Sequence, residues 1–261
     1  GQISDEQAAG GQGVGSLVVT GRGVVDLAPT YYGFSASNFF GGGVTVKSGT
    51  LALGSAGAAG SGAITFAAGA HATLQLAPGV VPYETIQGFD ATDVIDLKGF
   101  GAVTALSFDA SGHTLNVSNA TTTETLKFAG GAPSGVLTSG QDGAGGTIVG
   151  WVSNGETVES ETELNLFLDA VASGALAPDA SGGYSVKLGA DIALTGELEA
   201  INLAAGLKLT LDGQGHALDG LNSRRGLFVY AGNVAIQNLT IENALAQGGA
   251  GGAGVYGGGG G

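Results

Sequence analysis

Nearly every apolar run in this chain is cut off by a glycine or a polar residue within a few positions, and that spacing allows short strands but no long sheet strand. From Ser16 to about Gly130 the pieces are Leu17-Val18-Val19, Val24-Val25-Asp26-Leu27, Val44-Thr45-Val46, Thr50-Leu51-Ala52-Leu53, Ala63-Ile64-Thr65-Phe66 and Ala72-Thr73-Leu74-Gln75-Leu76. None is long enough to build a sheet alone. Short strands gain stability when successive turns of a coil stack and pair in parallel ladders, the solenoid solution for a repetitive chain punctuated by corners. Within the pieces every second side chain is a compact aliphatic one, which predicts inward-pointing Val, Ile and Leu around a filled core. The 52 glycines among 261 residues supply corners where the backbone needs positive φ.

Charge narrows the function classes. Acidic residues outnumber basic ones 22 to 8, for a net charge of −14, so the chain repels a phosphate backbone and an anionic bilayer, and nucleic acid is not an expected partner. The one pair of adjacent cations, Arg224-Arg225, reads as a solvated turn. There is no cysteine, which excludes a disulfide framework, a thiolate metal site and a catalytic thiol, and suits a chain exported unfolded. No apolar run approaches the roughly 20 residues of a spanning helix, so no direct membrane insertion by this segment is expected. With no methionine anywhere, the start codon, export signals and any membrane anchor are expected to lie outside this stretch.

Gly41-Gly42-Gly43-Val44-Thr45-Val46-Lys47-Ser48-Gly49-Thr50-Leu51-Ala52-Leu53 resembles the passenger-associated repeat of bacterial autotransporters, a Gly-Gly, a short strand, then Gly-Thr-Leu and another apolar strand. Leu17 to Thr20 and the aromatic Tyr31-Tyr32 stand where that repeat has its first strand and an aromatic corner. Ile86 to Leu97 is similar to a segment frequent in large secreted adhesins, and Leu106 to Asp109 with Thr114 to Val117 are expected to continue the coils.

The pattern changes near Trp151. Leu164, Phe167, Leu168 and Val171 follow helical spacing, and Ser160 with Glu163 forms a capping-box signature, which predicts a helix over 160–173. Glu161 and Glu163 in its first turn complement the helix dipole. Strand-like runs return at Ser185 to Leu188, Ile192 to Leu194, Leu207 to Leu211, Gly226 to Val229 and Val234 to Ile241. Equating Val186, Leu209 and Ile236 as inward positions gives intervals of 23 and 27 residues, in the range of one coil. The helix is expected to cap the open end of these coils. Leu211 to His216, Arg225 to Phe228 and Ile236 to Ala244, with the glycine tract behind, resemble the N-terminal start of right-handed parallel β-helices in autotransporter and polymorphic-membrane-protein-like surface proteins.

The expected fold is therefore all-β: a right-handed parallel β-helix (β-solenoid) with one short capping helix. Residues 1–150 form one module and residues 151–261 begin a second, expected to be truncated. The resemblance implies a secreted or bacterial outer-membrane-associated passenger that acts as an adhesive or structural scaffold, not an enzyme, with no cofactor. Its partners would be a host or bacterial surface or matrix, with self-association through the solenoid ends. Tyr31, Tyr32, Phe39 and Phe40 are the densest aromatic group, and read either as a contact patch or as corner packing.

Two chemical alternatives remain beside this. Asp212, His216, Asp219 and Arg225 fall within one coil, as a β-helix polysaccharide lyase or hydrolase would require, yet Asp-Gly pairs are also ordinary turns. Asp90, Asp93 and Asp96 could gather around calcium, but their spacing matches no calcium loop, and on a strand Asp96 is expected to be solvated. His71, His113 and His216 are too scattered for a metal pair. A third class, a self-assembling filament or surface layer, would use exposed solenoid ends.

Overall fold

A computed structural model describes residues 15–31 and 34–246. The chain forms a parallel β-solenoid of about nine turns, mostly strand, with one helix.

The first coils run through β1 (Leu17–Val19), β2 (Val24–Leu27), an antiparallel pair β3 (Thr30–Tyr31) and β4 (Phe34–Ser35), then β5 (Val44–Val46), β6 (Gly49–Leu53), β7 (Ile64–Phe66), β8 (Ala72–Leu76), β9 (Ile86–Gln87) and β10 (Val94–Leu97). One sheet stacks β1, β5, β7 and β9 in parallel, and the other stacks β2, β6, β8 and β10. The register aligns Leu51, Leu74 and Ile95 in one column and Leu53, Leu76 and Leu97 in the next, all at or below 1% exposure. These columns are the alternating aliphatics of the sequence turned inward. Gly43 shows why the corners need glycine: its φ is +74°, and a Cβ there would collide with the Ala63 carbonyl oxygen of the next coil.

The coiling then stops. β11 (Ala105–Asp109), β12 (Thr114–Ser118) and β13 (Thr123–Lys127) form an antiparallel meander, not the further coils expected from sequence. The reason lies in the links: four residues separate β11 from β12, enough for a hairpin, whereas a parallel return needs a dozen or more. Asp109 fixes that turn by accepting the Ser111 amide at 2.9 Å. The hairpin β14 (Val136–Gln141) and β15 (Thr147–Val152) next adds antiparallel to β10. Phe66, Phe89, Phe108, Phe128 and Trp151 meet edge to face at this end of the core, with centroid separations of 5.1 to 6.2 Å.

The second solenoid starts with β16 (Thr157–Val158) and α1 (Glu161–Ala172), and continues through β17 (Gly183–Leu188), β18 (Ile192–Ala193), β19 (Ile201–Asn202), β20 (Lys208–Asp212), β21 (Ala217–Asp219), β22 (Val229–Ala231), β23 (Asn233–Gln237) and β24 (Thr240–Glu242). Its three parallel sheets are β16-β17-β20-β23, β18-β21-β24 and β19-β22. The expected register is corrected by two residues on β20. Val186 pairs with Leu211 and Leu211 with Ile236, so the interval is 25 residues twice, and Leu209 belongs instead with Tyr184 and Val234. The run Val234 to Ile241 is two strands, broken where Asn238 takes φ +50°. Ile236 continues the inward column but is 45% exposed, because no described residues stack on its coil.

Helix α1 has the predicted cap: Ser160 Oγ accepts the Glu163 amide at 3.2 Å, and a Glu163 carboxylate oxygen accepts the Glu159 amide at 2.9 Å. Leu164, Phe167, Leu168 and Val171 lie in one apolar cluster with Val186, Leu188, Leu209 and Leu211 of the second core. That same cluster contains Val94, Ile148 and Val152, the outward residues of β10 and β15. α1 thus covers the second core and packs on the flank of the first solenoid at once, burying the outward Val94, Ile148 and Val152, while Ile95, Leu97, Val149 and Trp151 face the first core. Trp151 belongs to the first apolar cluster and Val152 to the second.

Candidate functional site

Of the four aromatics singled out in the sequence, the described side chains are those of Phe39 and Phe40, and they differ in exposure. Phe39 is 63% exposed, whereas Phe40 is 2% exposed and packs in the first core beside Gly60. With its side chain buried against the first core, Phe40 is not available as a contact residue. The Tyr31 side chain and Tyr32 lie outside the described residues.

Asp212, His216, Asp219 and Arg225 sit in one coil, but each is engaged with a different neighbour. Asp212 accepts the Asn238 side chain at 3.0 Å, the Gln214 amide at 3.0 Å and the Gln237 side chain at 3.0 Å, which together hold its carboxyl down to about 2. Asp219 accepts the Leu221 amide and the Asn243 side chain. His216 Nδ1 lies 3.2 Å from Asp191 of the preceding coil. Arg225 bonds the Leu198 carbonyl, pairs with Glu197 and stacks over Phe228. These are corner ladders: an acid on one coil accepts donors from its own turn and from the coil above.

The sequence-predicted aspartates are likewise committed to corners. Asp90 accepts the Gly69 and Thr92 amides, and Asp93 accepts the Ala72 amide at 3.1 Å and the Asp90 amide at 3.0 Å. Asp96 points away from the core as its strand position requires, but it is not solvated. It is 6% exposed and meets Gln75 and Lys98 at 3.0 and 2.9 Å, and Lys98 in turn reaches Asp142 of the β14–β15 turn at 3.1 Å. Pairing of the hairpin alongside β10 is what buries it. Among the described residues no three acidic or histidine side chains converge as a metal set.

The densest titratable group was not visible in the sequence as a unit. His71, at a first-module corner with φ +46°, places Nδ1 2.8 Å from Glu163 of α1 and Nε2 3.8 Å from Glu159. Asp93 and Glu156 join Glu163 in lining a narrow cavity of about 10 Å³ between the modules, with Trp151, Val152 and Leu166 as apolar walls. The bond to Glu163 raises the His71 imidazole above 6.5, against its partial burial. Burial pushes Asp93 up to about 7, and the nearby Asp90 and Glu163 carboxylates add to the effect. Burial also pushes Glu156 up to about 7. A cavity this small holds a water at most, so the cluster has room for protons and not for a substrate.

A second depression lies elsewhere. A shallow, open groove of about 620 Å³ crosses a corner of the second solenoid, lined by Gln214, Gly215, Asn238, Leu239 and Thr240. Its amides are the ones that bridge Asp212, so its shape is fixed by the corner ladder. No helix among the described residues is long and apolar enough to cross a membrane. In comparisons with protein-family models, curated proteins and solved structures, the chain matches none.

Proposed function

We propose that this chain is a secreted or cell-surface solenoid segment that serves as a rigid adhesive or structural scaffold, in keeping with its resemblance to autotransporter passengers. The observation that carries this reading is the corner ladder. Side-chain bonds from one coil to the next recur at Asp90, Asp93, Asn154, Asp191, Asp212 and Asp219, so the polar corners are used to hold successive coils in register. A stack built this way is stiff along its axis, and its outer corners present fixed polar surface such as the groove at Thr240. Acidic surface charge keeps such a rod soluble where it faces a ligand or another cell.

The test is retention of the purified protein on a panel of glycans, matrix proteins and whole cells. Saturable retention on some member, weakened by Thr240→Lys in the groove or by Phe39→Ala, supports the adhesive reading. Release of unsaturated or reducing sugars from uronic-acid polysaccharides, without retention, overturns it in favour of a polysaccharide-cleaving enzyme. A second reading, end-to-end assembly, is favoured by the last described coil, where Val229, Tyr230, Ile236 and Ile241 are 42%, 72%, 45% and 44% exposed and no described strand pairs beyond β23 and β24. Filaments in electron micrographs would select it.

A further inference from the structure

The contact between the two modules carries a density of acid groups that nothing in a scaffold requires. From the first module it receives His71, Asp90 and Asp93, and from the second Glu156, Glu159 and Glu163. At the other end of α1, Asp169 lies against Gly140 of β14, with Glu199 nearby and one carboxylate oxygen buried without a partner. Seven carboxylates and a single imidazole therefore share one interface, and His71 is the only cationic group among them. If all were ionised, the like charges would oppose the apolar packing of Leu166 and Phe167 against Val94, Ile148 and Val152.

We propose that this interface is a proton-controlled joint, in which His71, Asp93, Glu156 and Asp169 hold the helix and second solenoid tightly against the flank of the first while they carry protons, and loosen it when they lose them, with Glu163 as the partner of His71. Three of the carboxyls are displaced in the direction this demands. Burial pushes Asp93 and Glu156 up to about 7, and burial with the Glu199 charge pushes Asp169 up to about 6. A carboxyl that binds its proton more tightly in the joined state makes that state weaker as pH rises from its ordinary value toward the raised one. His71, raised above its ordinary value by Glu163, acts with the same sign, since its favourable charge is lost as pH passes the raised value. Asp90 is the exception: although its burial works the other way, amides from Gly69 and Thr92 keep it below the usual range, so it stays charged throughout. It pairs with none of the others by a salt bridge; its charge opposes ionisation of Asp93 and favours the charged His71 imidazole.

Hydrogen exchange on the intact chain, measured at about pH 5 and about pH 8.5 and corrected for the intrinsic rate, tests the joint. Amides of α1 from Leu164 to Val171 are expected to exchange about tenfold or more faster at the higher pH, since one unit of displacement is a factor of ten in the equilibrium. Amides of β6 and β8 in the first core should not change. The double variant Glu156→Gln, Asp169→Asn keeps one acceptor oxygen at each site and copies the protonated form, so it should lose about half of that pH response, the rest coming from Asp93 and His71. His71→Gln should speed α1 exchange at the lower pH alone. Equal corrected rates for α1 at both pH values, an unaltered response in the double variant, or exchange in β6 and β8 that tracks α1 would each overturn the proposal.

Discussion

Replacing Leu211 by alanine separates a true solenoid core column from a mere run of apolar residues. Leu211 is fully buried between Val186 on the coil below and Ile236 on the coil above, one rung in each direction. Truncation removes the transfer free energy of the lost carbons and leaves a cavity that two fixed neighbours cannot close, so the expected cost is about 3 kcal/mol, within the roughly 2–5 observed for such sites. At about 2–4 °C per kcal/mol for a chain of this size, the second module's melting midpoint should fall by roughly 6–12 °C. Ile236→Ala is the internal control. It occupies the same column but is 45% exposed on the last described coil, so its loss should cost under about 1.5 kcal/mol, the unburied fraction contributing nothing and no enclosed cavity forming. Calorimetry and far-ultraviolet circular dichroism on both variants read the difference. Equal midpoints for the two, or a larger fall for Ile236→Ala, would refute the placement of Leu211 inside the stack and Ile236 at its end.

Three further outcomes follow from the same packing. Ser160→Ala removes the cap bond to the Glu163 amide and should cost about 1 kcal/mol, read as a lower midpoint and faster exchange in the first turn of α1. Gly43→Ala should destabilise the first module by more than about 2 kcal/mol, because φ +74° and the Ala63 carbonyl oxygen both oppose a Cβ, whereas Gly69→Ala, at φ +62° with nothing within 4 Å, should cost only about 1; chemical denaturation followed by the emission of Trp151, buried in the first core, compares them. Deleting 160–173 bares two surfaces at once, the second core and the flank of β10 and β15, so light scattering should show association, and a monodisperse monomer at every concentration would contradict the double packing of α1.

What could be read from the sequence was whatever is local or repeated. The alternation in Val44-Thr45-Val46 and Ala72 to Leu76, the glycine corners and the capping box at Ser160 each follow from a few neighbouring residues, and each is where the structure has it. Register was harder. Val186, Leu209 and Ile236 are all apolar and all inward, and nothing local says which of Leu209 and Leu211 lies above Val186; only the ladder does. The meander at 105–127 looked like further coils because strand composition is the same in both, and the four-residue link was the signal that was missed. His71 and Glu163 are 92 residues apart, and Glu163 already had an explanation as a capping residue, so no spacing argument could join them. Burial of Asp96 and of Phe40 depends in the same way on which segment lies over them.

The parallel stack itself is open to a direct chemical test, because the chain has no cysteine of its own. Ser185, Thr210 and Ala235 occupy the solvent-side column next to the inward one, on β17, β20 and β23. Neighbours in register lie about 4.8 Å apart in a sheet, within the roughly 4.4–6.8 Å that a disulfide spans, whereas the first and third rungs are about twice as far apart. Pairwise cysteine substitution followed by mild oxidation should therefore cross-link 185 with 210 and 210 with 235, while leaving the pair 185 and 235 reduced. Efficient linkage of 185 to 235, or failure of both 25-residue pairs, would contradict the stacked-coil architecture on which the rest of the account stands.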